Sequence, residues 1–352
     1  MKLPIESILL WSVISIAGIA VGFYLVHFAW RTFGAWKIRQ AGPRELTATR
    51  HALWKDPGNV AALDLSGGPG GADGRPVPPF RFVEEHVSGT QPCMSVIDGK
   101  GRRWRAKWGE EVNSETFAIR LVWACGYFAE ITHFVPEGQV EGAKELQRTS
   151  ACLDEQHRFT ASRFELDDPA VKKHFEEHSW AWNDNPFLGS RELQGLKILN
   201  MLLSNWDTKD RRDVARGSNT AIFEETSRGG REARYLITDW GGSMGSWGAN
   251  AITRARWDVA AFVAQTPQFV TGVEDGVVKF GYSGQRTEDV ATGITPDDVA
   301  WLCRYLGQMT DQQLDDALRS SGATDDERDQ FRTAIRDRLT QLQRVASPAP
   351  RS

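Results

Sequence analysis

Cysteine is scarce in this chain: Cys93, Cys125, Cys152 and Cys303 are far apart and form no CxxC pair. They cannot build a zinc site without distant histidines, and a reducing compartment is the simpler setting. No basic stripe offsets the formal charge of -4, so nothing points to nucleic acid. There is no Walker-type GxxxxGK, no GxGxxG and no internal repeat. The GGSMG run at 241–245 spells GxSxG, but all seven histidines precede Ser243, so no general base follows it as a hydrolase elbow requires. HFEEH at 174–178 matches an inverted zinc-peptidase signature, yet its polar setting, DDPAVKKHFEEHSW, reads as a solvated helix face. What is present is a 352-residue chain with 41% hydrophobic content, enough for a sizeable core.

One long apolar run stands out. Residues 9–30 contain no formally charged side chain, and Trp11, Tyr24 and Trp30 sit near the run's ends. At about 1.5 Å per residue the segment reaches roughly 33 Å, enough to cross a bilayer core. Glu6 and the absence of an A-x-A-like site argue against a cleaved signal peptide. Arg31, Lys37, Arg39 and Arg44 follow the run. The positive-inside tendency therefore predicts a single-pass inner-membrane protein with its N-terminus outside and a cytoplasmic soluble part, where ATP is available.

Composition divides the rest. Residues 1–32 are the anchor and its flanks, and 33–79 form a juxtamembrane segment ending in a Gly/Pro-rich linker. Within the latter, 43–65 read as a short amphipathic segment and SGGPGGADGRPVPP at 66–79 as a flexible spacer. From 80 to 170 the pattern is β-rich, with strands predicted over 81–86, 94–98 and 103–108, a helix over 113–125, then strands over 127–134 and 158–166. The 113–125 helix places Glu115, Ala118, Val122 and Cys125 on one face. From 171 to 345 the chain is mainly helical, opening with 191–203 and its stripe of Leu193, Leu196, Leu199 and Leu203. Short strands are predicted at 220–224 and 234–238. Thr295, Thr310 and Thr324 open capping-box sequences, and the last helix turns Phe331, Ile335, Leu339 and Leu342 inward. Residues 346–352 read as a disordered tail.

An ordered set of polar residues crosses this frame: Lys107 in RWRAKWG, Glu115 in NSETFAIRLVW, Asp207 and Lys209 in NWDTKD, Asn219 before TAIFEE, and Asp239 in LITDWGG. ATP-dependent phosphoryl transfer needs these roles: a lysine on the phosphates, a carboxylate to fix it, a base for the attacking hydroxyl and oxygen ligands for magnesium. Asp207 ends a very apolar helix, and its spacing to Lys209 is that of a D-x-K catalytic loop. Ser88, Gly89 and Thr90 form a turn between predicted strands that could offer backbone N–H groups to phosphate.

On these residues, 80–345 resembles the protein-kinase-like superfamily, nearest its atypical HipA-type and phosphoinositide-kinase-like branch. The resemblance implies a two-lobed α+β fold, with a β-rich N-lobe and a mainly helical C-lobe, and the apolar run at 9–30 adds one transmembrane helix before it. It implies Lys107 on the nucleotide phosphates, Glu115 paired with it, and Ser88, Gly89 and Thr90 as phosphate loop. Asp207 is then the base, Lys209 its neighbour on the transferring group, and Asn219 with Asp239 the Mg²⁺ ligands. Two alternatives stay open: Glu111, one turn before Glu115, and Asp213, since the twelve-residue step from Asp207 to Asn219 exceeds the usual five. The expected activity is a membrane-anchored, bacterial-type phosphotransferase using ATP and Mg²⁺ on an unidentified protein, lipid or small molecule. A pseudokinase or an AMP transferase would carry the same residues.

Overall fold

Alternating apolar residues in the first half of the chain form strands that curl until they close. The computed structural model describes residues 50–87, 89–167, 174–175, 179–208, 219–227 and 230–346. After a short β1 (Arg50–Ala52), the strands β2 (Phe80–His86), β3 (Cys93–Ile97) and β4 (Arg103–Lys107) form an antiparallel meander. Helix α1 (Val112–Ala124) follows, then β5 (Thr132–Glu141) and β6 (Arg158–Leu166). These five strands close into a barrel in the order β2-β3-β4-β6-β5. Phe80, Met94, Val96, Trp104, Phe159 and Phe164 fill it, while the alternate positions Arg103 and Arg105 of β4 are not buried. Meander, helix and two strands is the predicted order. The first of the last two strands begins at Thr132 rather than 127, because Tyr127 is buried in the other core and its hydroxyl donates to the Glu192 carbonyl at 2.7 Å.

The second half contains β7 (His174–Phe175), α2 (Arg191–Leu202), β8 (Thr220–Ser227) and β9 (Gly230–Ile237). It continues with α3 (Val259–Gln265), a hairpin of β10 (Val270–Glu274) and β11 (Val277–Phe280), and four helices: α4 (Thr287–Val290), α5 (Pro296–Leu306), α6 (Asp311–Arg319) and α7 (Asp325–Ala346). Thr295 and Thr310 complete reciprocal capping boxes, and Thr324 exchanges hydrogen bonds with Glu327 in the same way. The α2 leucines and the inward side chains of α7 meet in a second core. Each fully buried leucine there contributes roughly 1.5–3 kcal/mol. The molecule is thus a mixed α+β fold with two hydrophobic cores.

The face of Glu115, Ala118, Val122 and Cys125 is buried, and so are the other sides of α1: eleven of its residues are buried, because it lies between the barrel, the helical core and the 60–72 stretch. Two expectations are corrected. Residues 66–79 are not a flexible spacer, and the segment before them is packed as well. β1 pairs in parallel with β9, Val60 donates to Gln308 at 3.1 Å, and Trp54 meets Trp301 and Tyr305 edge to face. The glycines at 67–70 permit close packing: a Cβ on Gly70 would lie 2.6 Å from Ile131, and Gly68 at φ +62° rests on Arg120. Finally, His174 lies in a strand paired with β8, not on a helix, and His178 is outside the described residues. The apolar run at 9–30 and the tail after 346 are also outside them; among the described residues no helix is long and apolar enough to cross a membrane.

Candidate functional site

Lys107 ends β4 opposite Cys93, the first residue of β3, so the turn joining β2 to β3 sits at the same end of the barrel. Gly89 and Thr90 belong to that turn; Ser88 is outside the described residues. Arg148, reaching over from between β5 and β6, donates to the carbonyls of Val87, Gly89 and Thr90 at 3.3, 3.0 and 2.8 Å. With those carbonyls turned to a guanidinium, the turn is pinned at three points.

The Lys107 ammonium meets carboxylates at the N-terminal end of α1, one of them on the residue just before it. Glu111 Oε2 is 2.8 Å from Nζ and Glu115 Oε2 is 3.8 Å away. The nearer partner is therefore Glu111, while Glu115, 1% exposed, is taken by Arg163 of β6, which also donates to Glu165 at 3.1 Å. Burial works against the charge on Lys107, but Glu115, Asp239 and Glu111 outweigh burial and Arg163 and raise its pKa. Burial pushes the Glu115 carboxyl up to about 8 even with Arg163 and Lys107 beside it. Glu111, Glu115 and Asp239 bring a carboxylate oxygen each to within 4.8 Å of one another. Hard oxygen donors at this spacing suit a divalent cation such as Mg²⁺, and Glu115 Oε2 is buried there with no hydrogen-bond partner.

Asp239 follows β9, and its Oδ1 accepts from the Gly241 N–H at 2.9 Å. The two glycines behind it are there for space. A Cβ on Gly241 would come within 2.7 Å of Glu111 Cγ, and one on Gly242 within 3.0 Å of Asp207 Cβ. Ser114 Oγ donates to the Gly241 carbonyl at 3.0 Å, and Trp206 N–H to the Gly242 carbonyl at 3.3 Å. One tight loop thereby touches the acidic cluster on one side and the Asp207 loop on the other. This close approach accounts for the glycines of the GxSxG run, whose Ser243 is fully buried.

Asp207 is half-buried just beyond α2. Its Oδ1 accepts from Gln285 Nε2 at 2.8 Å, its N–H donates to Asn205 Oδ1 at 3.3 Å, and its carbonyl accepts from Asn219 Nδ2 at 2.8 Å. Asn219 also accepts from the Thr238 N–H at 2.9 Å through its carbonyl, which sets it between Asp207 and Asp239. Asn205 braces the same loop, reaching the Asp239 carbonyl at 3.5 Å. Lys209 and Asp213 lie outside the described residues.

The structure thus brings together Lys107, Glu111, Glu115 and Asp239, and packs the Asp207 loop with Asn219 against the Asp239 loop. Sequence reading ranked Glu115 over Glu111 as partner of the lysine; the distances reverse that order. It also missed Arg163, Arg256 and Gln285. Arg163 left one signal, an R-F-E alternation that puts two opposite charges on one strand face. Arg256, which donates to Glu111 Oε1 at 2.6 Å, and Gln285 come from loops and left none.

No protein-family model matches the chain, and no curated protein matches it in sequence. A crystal structure of the Golgi casein kinase with Mn and ADP bound aligns with 77% of this chain and 72% of that one, at 12% identity and a TM-score of 0.33. That likeness is too loose to assign a fold.

Proposed function

We propose that the chain is an ATP-dependent phosphotransferase with a two-lobed, protein-kinase-like arrangement: the barrel with α1 as N-lobe, the helical core as C-lobe. One observation carries the reading. The 239–242 loop contacts both the Lys107–Glu111–Glu115 cluster and the Asp207 loop, so a phosphate-binding cation, a carboxylate cluster and an acceptor-side carboxylate are arranged around one loop. Lys107 would hold the nucleotide phosphates, and Glu111 with Glu115 would hold Lys107. Asp239, Glu111 and Glu115 would hold Mg²⁺, with Asn219 beside Asp239 as a further ligand; the ion supplies neutralisation of phosphate charge when bound. Asp207, steered by Gln285 and Asn205, would take the proton of the acceptor hydroxyl. The hydroxyl oxygen then bonds to the γ-phosphorus, the bond from that phosphorus to the β–γ bridging oxygen breaks, and ADP leaves. The apolar run at 9–30 would tether this site to a membrane, with the site on the cytoplasmic face.

The test is a thermal-shift titration with ATP and Mg²⁺, followed by intact-mass measurement after incubation. Stabilisation by Mg·ATP and a phosphoryl adduct, both lost in Asp239→Asn, are expected. An adenylyl adduct would move the chemistry to AMP transfer. No response to nucleotide at any magnesium concentration would sink the proposal.

A further inference from the structure

Next to the Asp207 loop lies a hollow of about 610 Å³, within the size range of small-molecule sites. Trp206, Arg254, Arg256 and Glu110 line it. Both guanidinium carbons lie 5.2 Å from the Trp206 ring centroid, so one indole supports two cations. Their engagements differ. Arg256 is neutralised by Glu111 at 2.6 Å. Arg254 donates Nε to the Gly248 carbonyl at 2.7 Å and Nη2 to the Ala249 carbonyl at 3.2 Å, and it forms no ion pair among the described residues. Neutral acceptors fix its direction without cancelling its charge. The acids facing the hollow, Glu110 and Asp258, are both exposed to solvent, where their fields are screened, and Asp258 also caps α3, accepting from Ala261 N–H at 3.0 Å. Among the described residues the hollow therefore offers one pre-aimed guanidinium without an ion pair, the donor geometry suited to a phosphate group. Trp206 is bonded directly to Asp207, so the hollow adjoins the loop that carries the candidate base.

We propose that this hollow is the acceptor site and that Arg254 binds the phosphate of a small hydroxylated phosphomonoester, leaving its hydroxyl toward Asp207. The proposal rests on the phosphotransferase reading, and its test separates the two. The probe is inorganic phosphate, titrated calorimetrically into the full chain with the nucleotide site saturated by ADP and Mg²⁺. Wild type is expected to bind phosphate, and Arg254→Ala to bind it at least about tenfold more weakly with ADP affinity unchanged. Because Arg254 also holds the 248–249 backbone, Ala251→Asp is the second variant. It adds a negative charge at the exposed rim of the hollow, removes no contact, and is expected to weaken phosphate to a similar degree. A wild type that takes up ADP but no phosphate overturns the acceptor site and leaves the nucleotide reading standing, as does phosphate binding unmoved by both variants. Phosphate binding that depends on Arg254 in a protein that ignores ADP keeps the anion site and removes the kinase reading.

Discussion

Two buried guanidiniums, one in each half of the molecule, are held in opposite ways. Arg163 of β6 sits among carboxylates, touching Glu115 and Glu165, and their charges raise its pKa against the effect of burial. Arg338 of α7 is completely buried and forms no ion pair among the described residues. It donates to the Leu202 and Phe262 carbonyls at 2.7 and 3.0 Å and to Ser204 Oγ and Thr266 Oγ1 at 2.8 and 3.0 Å, and lies 3.6 Å over the Phe262 ring. Burial lowers its pKa well below the usual arginine range. The first arrangement is adjustable, since carboxylates can exchange a proton, an ammonium or a metal ion among themselves. The second is a brace: neutral acceptors have no other charge to turn to, and what they hold is the end of α2 that leads into Asp207. Charge handling and rigid placement of the Asp207 loop thus fall to different halves of the fold.

The largest expected effect tests the braced side. Asp207→Asn should lower phosphoryl transfer about 10³-fold while Mg·ATP still raises the melting temperature; a kinetic assay beside a melting curve reads both. Next come the two arginines. Arg163→Met and Arg338→Met should each destabilise the fold by about 3 kcal/mol, one by stranding buried carboxylates and the other by orphaning four acceptors. Their pH dependence should differ. Losing Arg163 raises the Glu115 carboxyl above its value of about 8. The Arg163→Met deficit therefore shrinks as pH falls from about 9 to about 7 and the wild-type Glu115 takes up its proton, a step that Arg338→Met lacks. Urea unfolding at both pH values decides it, and equal behaviour would erase the distinction.

His133 of β5 gives a smaller, purely barrel-side effect. Burial, then Arg120, Arg75 and Arg102, push its pKa down to about 3. The unfolded imidazole titrates near 6.5, so between those values the unfolded chain binds the extra proton. Stability from this residue is present above pH 6.5 and is lost as pH falls through the window, by about 2 kcal/mol at pH 5. The drop should be missing in His133→Gln. The smallest effect belongs to Gln285→Ala. Losing one amide on Asp207 should cost about 1 kcal/mol in the barrier, roughly a fivefold fall in kcat with KM for ATP unchanged.

Much of the frame was legible locally. The β2–β3–β4 meander, α1, β6 and the Thr295, Thr310 and Thr324 helix starts each depend on periodicity or a capping contact within four residues. The order of Lys107, Asp207, Asn219 and Asp239 was visible for the same reason: each sits at the end of a readable element. The stretch at 66–79 was misread because glycine has the same letter in a mobile spacer and in a turn packed against Ile131 and Arg120. Glu111 and Glu115 are one helical turn apart and locally equivalent. Only Arg163, reaching in from β6 forty-eight residues later, draws Glu115 away and leaves Glu111 to the lysine.

The sequence by itself determined the elements, their caps and the chemical types available, because these follow from backbone sterics and spacing along the chain. Tertiary structure alone decided which charges pair, why 241 and 242 must be glycine, and that Arg254 and Arg256 both stack on Trp206. Those outcomes depend on distances between segments far apart in sequence, set by how two cores pack around α1, and no local pattern carries that information.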